Sequence, residues 1–347
     1  MTQGLRVLSP GLFTTLQDIG RVGYQHLGVP AGGALDPVAL QAANALVNNA
    51  PDTAALEIFY RGPTLEVVAD EVRIALCGAS ALLERLGDAN AAGGEKIESM
   101  RSLTLRRGEV IRIGALSGGA IAYLAVEGGF AVEPMLGSLS TDIRSQLGGI
   151  DARALSTGDI LPLRSGKVSD TTEYSYRSLT LDPPRRLRIL PGPQRDFFSD
   201  EEFAAFVNGL YTVGQNSNRM GMRLNGRPIA HRRGANIVSD AVAPGSIQIP
   251  GDGQPIILLA DRQTTGGYPK IANVISADIP ALGRVPAGAQ IGFELVTMQA
   301  AIDARRQLIS DLAALPQLRV PVRSNVADVA TRLHECNLIS GVIDAAA

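Results

Sequence analysis

The sequence predicts a mainly β fold with a few short helices, arranged as two domains. Three observations carry that expectation. First, 38 glycines and 20 prolines punctuate short apolar stretches, and long helical patterns are scarce. Many short strands joined by tight turns have that composition. Second, at 347 residues the chain is too long for most single hydrophobic cores. Third, the polar stretch 166–185, SGKVSDTTEYSYRSLTLDPP, is poor in apolar residues and ends in a Pro pair, as a linker does. The expected division is a β-rich domain over 1–170, a second β-rich domain over 185–315, and a tail over 316–347.

Each element follows from local pattern. RVLSP opens a strand, and a Gly-rich polar loop, QDIGRVGYQHLGVPAGGALD, follows it. Asp36 then caps a helix whose first position is Pro37, where a missing N–H costs nothing. VALQAANALVNN sets Ala39, Ala43, Leu46 and Val47 on one face. The runs ALEIFY, TLEVVA, VRIALCG, SLTLRRG, EVIRIGAL and AIAYLAVEGG read as strands of an antiparallel barrel or sandwich. In the second half RLRILPG opens a strand, Ser199 caps a short acidic-start helix, DEEFAAFVNGL, and further short strands follow. MQAAIDARRQLISDLAAL reads as a helix, and the tail holds another from about Val326 to Glu335.

Bulk properties exclude several functions. Thirty-two Lys and Arg against 34 Asp and Glu leave a net charge of -2 with no basic run, so nucleic acid and anionic membranes are poor partners. No apolar run approaches the roughly 20 residues of a membrane helix, and the N-terminus lacks the pattern of a signal peptide. Cys77 and Cys336 lie far apart, so neither a metal pair nor a disulfide framework is indicated, and a cytoplasmic location is expected. GxxxxGK[ST], HExxH, CxxC and GxSxG are all absent, and His231 and His334 are too far apart for a local metal site.

What remains is a pocket of Arg, Gln, Asn, Asp, Thr, Lys and Gly, suited to an amide or carboxylate. The richest segment is Ser239 to Val274. Its run Ile256 to Ala260 reads as a buried strand and ends in Asp261, Arg262, Gln263, Thr264, Thr265, Gly266, Gly267, Tyr268 and Lys270. A dry interior does not tolerate such groups unpaired. The cluster is therefore expected at the mouth of a sheet or barrel, facing a ligand, with hydroxyls and backbone amides placed for an oxyanion. Gln17, Asp18, Arg21 and His26 form a second constellation, in which Asp18 or Asp36 can orient the imidazole. Further sets are Ser140, Thr141, Asp142 and Arg144, read as a turn with an Asp–Arg pair; Gln194, Arg195 and Asp196; and Gln215 to Gly221, where Arg219 offers a planar fork of donors. Glu57, in a strand pattern, must face outward or find an ion partner.

Five blocks in order carry a resemblance: GLFTTLQDIGRVGYQHLGVPAGGALDPVALQAANALV, STDIRSQLGG, PGPQRDFF, NSNRMGMRL and APGSIQIPGDGQPIILLADRQTTGGYPKI. From about Leu5 to Thr297 the chain resembles the biotin-dependent carboxyltransferase family. That family includes the C component of bacterial 5-oxoprolinase, proteins called allophanate hydrolase subunit 2, and half of the carboxyltransferase domain of urea carboxylase. The resemblance implies two domains with cyclophilin-like β-barrels. It also implies a smaller partner, like the B component of 5-oxoprolinase, that shares the active site. With a third protein, like the A component, and with ATP used by the complex, it would open 5-oxoproline to glutamate. Two other activities are implied as alternatives: carboxyl transfer to urea or a related amide from biotin on a separate carrier, and a regulatory role antagonising a kinase-inhibitor partner. By motif, His26, Asp240, Gln263 and Thr264 are the implied catalytic residues. Arg21, Gly266, Gly267 and Lys270 are the implied substrate-binding residues, and Arg219 joins them as a donor. Gly266 and Gly267 would hold an oxyanion, Arg21 and Lys270 a carboxylate, and His26 or Asp240 would handle protons. No metal is implied.

Overall fold

The computed structural model describes residues 3–87, 93–170 and 172–322. The helix expected from Val326 to Glu335 lies outside them. The described chain is mostly β, as expected.

Period-two alternation decides how the first half packs. Two antiparallel sheets face one another. One has six strands in the order Ile160–Pro162, Gly4–Ser9, Thr64–Val67, Val110–Ile113, Leu82–Leu86, Glu95–Glu98. The other has five: Phe13–Gln17, Ala55–Phe59, Ser117–Val126, Glu71–Ser80, Ser102–Arg106. Leu56, Ile58, Ile74, Leu76, Leu124 and Val126 point from the second sheet into the core shared with Leu5, Val7, Leu65 and Ile111 of the first. Their neighbours Ala55, Ala75, Cys77, Tyr123 and Ala125 point the other way, into a second core. That outer face is built largely of small residues, and helix α1 (Pro37–Leu46) presses on it with Ala39, Ala42 and Ala43. Cys77 sits under this contact, where burial pushes its thiol far above the usual range. It is a packing residue, and its thiolate is suppressed.

The second half closes into a seven-stranded barrel. Its order is Arg186–Pro191, Lys270–Val274, Ser246–Gln248, Ile256–Leu258, Gly221–Asn225, Leu210–Val213, Gln290–Leu295. The last strand returns to the first in parallel, Arg186 opposite Gly292. Helix α2 (Asp200–Asn208) is capped by Ser199, whose Oγ accepts from Glu202 N at 3.2 Å. It plugs the barrel with Phe206, 4.7 Å from the Phe293 ring. The barrel core is continuous with the layer under α1, so the two halves share one apolar body.

Helix α3 (Met298–Leu318) is longer than the pattern suggested, running through Pro316 to Leu318. The segment 166–185 also differs from a free linker. Tyr174–Tyr176 forms a strand on Arg319–Pro321, and Arg319 stacks 4.4 Å over the Tyr174 ring. Two tyrosines give this otherwise polar stretch enough apolar surface to dock. No helix among the described residues is long and apolar enough to cross a membrane.

Asp36 does cap α1, accepting from Val38 N at 3.1 Å and Ala39 N at 3.2 Å. It is also fully buried and pairs with Arg284 of the second half at 2.6 Å. Losing the cap and one side of a buried pair at once is costly. Asp36→Ala is expected to destabilise the protein by about 3 kcal/mol or more, and Asp36→Asn, which keeps the cap, by about 1 kcal/mol less. Thermal unfolding of the two variants checks that order.

Candidate functional site

Two polar centres stand out, one where the halves meet and one at the end of the barrel, and the Leu259–Lys270 run connects them.

The first centre is at the junction. The strand Phe13–Gln17 ends at Asp18, and the chain makes an out-and-back loop closed by Arg21 N on Ala31 O (2.7 Å) and Ala34 N on Asp18 O (2.8 Å). Gly20 has φ +90, and a Cβ there would lie 2.6 Å from Ala31 O, so the closure requires glycine. Asp18 is saturated: it accepts from Gly20 N (2.8 Å), Ser138 Oγ (2.6 Å), Ser140 Oγ (2.5 Å) and Leu139 N (2.6 Å). It fastens residues 138–141 to the loop and has no contact with His26. Asp36 is equally committed elsewhere. His26 sits in an exposed 3-10 turn, Gln25–Leu27, with no hydrogen-bond partner among the described residues. The expected carboxylate–imidazole pairing is therefore not formed.

Arg219 is the keystone of this centre. Its guanidinium contacts Glu57, Asp261 Oδ2 (2.7 Å), Asp261 Oδ1 (2.8 Å), Gly33 O (2.7 Å) and Gln17 Oε1 (3.4 Å). Glu57 is fully buried and in turn accepts from Tyr123 Oη (2.5 Å) and Leu35 N (2.9 Å). Burial pushes the Arg219 pKa down, but Glu57 and Asp261 more than offset it and hold the group above its usual range. Tyr123 is pushed up by burial and by the Glu57 charge. So Glu57 takes the ion-paired option, and Arg219 is a clamp with its donors engaged rather than a free ligand fork.

Arg21 is different. It is 1% exposed, donates from Nη2 to Ser140 O, and leaves Nε and Nη1 without partners. Burial lowers its pKa, and Asp142, Asp18 and Asp261 pull it partly back. Asp142 uses Oδ1 on Arg144 N (3.1 Å) and Ser145 N (3.0 Å), while Oδ2 is buried with no partner. The expected Asp142–Arg144 side-chain pair is replaced by this backbone turn. A donor fork and an acceptor thus stand unpaired in one junction. Beside them is a cleft of about 420 Å³, with Phe13, Phe59, Tyr60 and Met220 on its apolar walls and Asp142, Arg219 and Asp261 on its polar one.

The second centre lies at the end of the barrel. Lys270, 2% exposed, donates to Asp240 Oδ2 (2.8 Å) and Ala241 O (3.3 Å). Gln194 bridges the pair, accepting from Lys270 N (3.2 Å) and donating to Asp240 Oδ2 (3.4 Å). The Lys270 hydrogen bond holds the Asp240 carboxyl below its usual range. Asp240 is thus a weak proton acceptor near neutrality, and Lys270 is already neutralised. Asp240 pairs with Gly266 and Ala241 with Thr265, while Thr264 O accepts from Val242 N (3.1 Å) and Gly267 O from Ile237 N (2.9 Å). A Cβ on Gly266 would lie 2.5 Å from Gln248 Nε2 and 3.5 Å from Gln263 Nε2, so glycine leaves room for two amides. Asp240, Gln263, Thr264, Gly266, Gly267 and Lys270 are therefore brought together, and Arg21 and Arg219 belong to the junction. His26 joins neither. Sequence reasoning misses Gln248 and Tyr123. Only Gln248 leaves a signal, a lone amide between Ile247 and Ile249. Among the described residues no group of three or more His, Cys, Asp or Glu is placed to hold a metal.

The profile of the family described as carboxyltransferase domain, subdomain A and B, matches residues 27–295. Two bacterial proteins, each named as the C component of 5-oxoprolinase, are 36% identical to this chain. The Haemophilus influenzae protein matches over 293 residues, 84% of this chain and 91% of its own length. The Escherichia coli protein matches over 302 residues, 87% and 94%. Among solved structures, urea amidolyase of K. lactis superposes with a TM-score of 0.80 at 28% identity over 90% of this chain, which spans 20% of that one. The structure of TTHA0988 superposes with a TM-score of 0.75 at 33% identity over 84% of this chain, which spans 55% of that one.

Lys270→Met removes the first cause of the Asp240 shift. The Asp240 titration, followed by carboxyl carbon NMR, is expected to rise from its depressed position toward the ordinary carboxylate value, while the Ala241 N and Gln194 hydrogen bonds still hold it down. The ion pair is present above that value and is lost as pH falls through the depressed one.

Proposed function

The chain belongs to the carboxyltransferase domain family, subdomain A and B, and from that membership we propose that it is the C component of an ATP-dependent 5-oxoprolinase complex. The observation that carries this reading is the near-complete length of the match to the two bacterial 5-oxoprolinase proteins, 91% and 94% of their chains. The substrate is a cyclic amide bearing a carboxylate, and the product is glutamate.

The two centres supply the chemistry that opening an amide requires. A carbonyl under attack gathers negative charge on oxygen, and donors already aimed at it lower the barrier. Arg21 presents Nε and Nη1, unpaired in a water-poor junction. Asp142, whose charge acts on Arg21, keeps Oδ2 without a partner and would accept the lactam N–H. An amide constrained in a ring carries C=O and N–H side by side, which suits a donor and an acceptor standing together. Gln263, Thr264, Gly266 and Gly267 would line the other wall. His26, on an exposed turn, is better placed to meet a partner protein than to share a proton with Asp18. A smaller carboxyltransferase-type partner and a protein like the A component complete the complex. The chain has no phosphate-binding loop of the GxxxxGK[ST] kind, so P-loop binding of ATP is not expected of it.

A second reading is carboxyl transfer to urea or a related amide. It is favoured by the superposition on urea amidolyase over 90% of this chain. Biotin would be borne by a separate carrier and supply the carboxyl group. The residues here would only bind the acceptor amide.

The test is coexpression with the partner proteins and assay of ATP-dependent glutamate release from 5-oxoproline. Release is expected, and its absence with every partner combination overturns the reading. Arg21→Met is expected to lower kcat by about 10²- to 10³-fold, the usual effect of removing one oxyanion donor. Because Arg21 is a buried cation with unpaired donors, the same variant should melt at an equal or higher temperature than the wild type. Loss of stability together with activity would assign Arg21 to the scaffold instead.

A further inference from the structure

Five cationic side chains are buried among the described residues: Arg21, Arg73, Arg219, Arg262 and Lys270. Four answer to carboxylates. Arg73 pairs with Glu127 and Asp170, Arg219 with Glu57 and Asp261, and Lys270 with Asp240. Arg21 lies in the field of Asp142, Asp18 and Asp261. Arg262 is the exception. It is 3% exposed, and its hydrogen bonds run only to backbone carbonyls, Nε to Val242 O (3.1 Å) and Nη1 to Leu259 O (3.3 Å). Burial lowers its pKa, and no carboxylate among the described residues opposes that. Nη2 has no hydrogen-bond partner among the described residues. A buried cation without a counter-charge is costly, and such groups concentrate at binding sites.

A second, independent observation lies next to it. Gln248 is 2% exposed, and its Nε2 has no hydrogen-bond partner. Buried amide donors in folded proteins are rarely left unpaired. This one packs against the Gly266 backbone, where a Cβ would lie 2.5 Å away. Val242 borders both groups: its carbonyl accepts from Arg262, and its Cγ2 lies 3.1 Å from the same Gly266 position. An uncompensated positive charge and an unused amide donor therefore both border Val242. Lys270 does not fill this role, because Asp240 already neutralises it.

We propose that the barrel end beside Gly266 is a carboxylate subsite, with Arg262 supplying the charge and Gln248 Nε2 a hydrogen bond. A planar carboxylate accepts from both donors at once. The subsite deepens the proposed function and rests on it for the identity of the ligand. It would hold the carboxylate of 5-oxoproline, leaving the lactam for the junction, and so discriminate against uncharged amides.

The experiment compares 5-oxoproline with its carboxamide, 5-oxoprolinamide, by calorimetry on the full chain with its partner proteins. Wild type is expected to prefer the carboxylate. Arg262→Gln should reduce that preference by about 10- to 100-fold while still binding the carboxamide, the change expected when a charged hydrogen bond is removed. Gln248→Leu retains Arg262 and should weaken the carboxylate about 10-fold. It carries the same comparison if Arg262→Gln does not fold. A folded Arg262→Gln protein with the full preference overturns the subsite, as does a wild type that binds both lactams equally. A complex that releases no glutamate removes the 5-oxoproline reading alone. The subsite is then judged by acetate against acetamide on the same proteins, with equal binding overturning it.

Discussion

The Arg219 clamp is the constraint on which the rest depends. One guanidinium from the second half reaches Glu57 in a sheet of the first half, Asp261 at the end of a barrel strand, and the carbonyl of Gly33 in the N-terminal loop. Glu57 is then fixed by Tyr123 and Leu35 N, and the Tyr123 oxygen accepts from Asp36 N. Buried ions are tolerated only when nearly every lone pair and proton is used, and here they are. The network fixes a register: a loop, a sheet, a helix start and a barrel end meet at one set of charges. The Asp36–Arg284 pair repeats the device at a second point of the same seam.

This constraint explains why the polar groups fall into two centres rather than one. Asp261 belongs to the clamp, and the next residues turn at once into the barrel end, where Lys270, Asp240 and Gln194 form their own closed set. Arg21 and Asp142 at one centre and Gln248 at the other keep buried polar atoms without a partner, and Arg262 bonds to backbone carbonyls. A ligand with an amide at one end and a carboxylate at the other matches that division. The bacterial relatives named for 5-oxoprolinase fit it.

Much of the architecture is legible because it is local. Asp36 before Pro37 announces a helix start, and it is one. The apolar run ending in DRQTTGGYPK announces a buried strand opening into a polar mouth. Ile256–Leu258 is such a strand, flanked in the barrel by Ser246–Gln248 and Gly221–Asn225. Pairings across the chain are not legible. Glu57 is visibly anomalous, but its partner lies 162 positions away. Asp18 is near His26 in sequence, yet Ser138 and Ser140, 120 and 122 positions on, claim it. The helix MQAAIDARRQLISDLAAL is legible, and only its end is not, because it accommodates Pro316 and continues to Leu318. Arg262 stands in plain view, and only the structure reveals that no carboxylate among the described residues answers it.

The central claim is that the Glu57–Arg219 contact binds the two halves into one cooperative unit. A double-mutant cycle with Glu57→Gln and Arg219→Met, measured by urea unfolding, tests it most directly. The account predicts a single unfolding transition in the wild type and a coupling energy of about 2–3 kcal/mol, the upper range for residues in one buried network. Coupling near zero, or two separate transitions in the wild type, would contradict it.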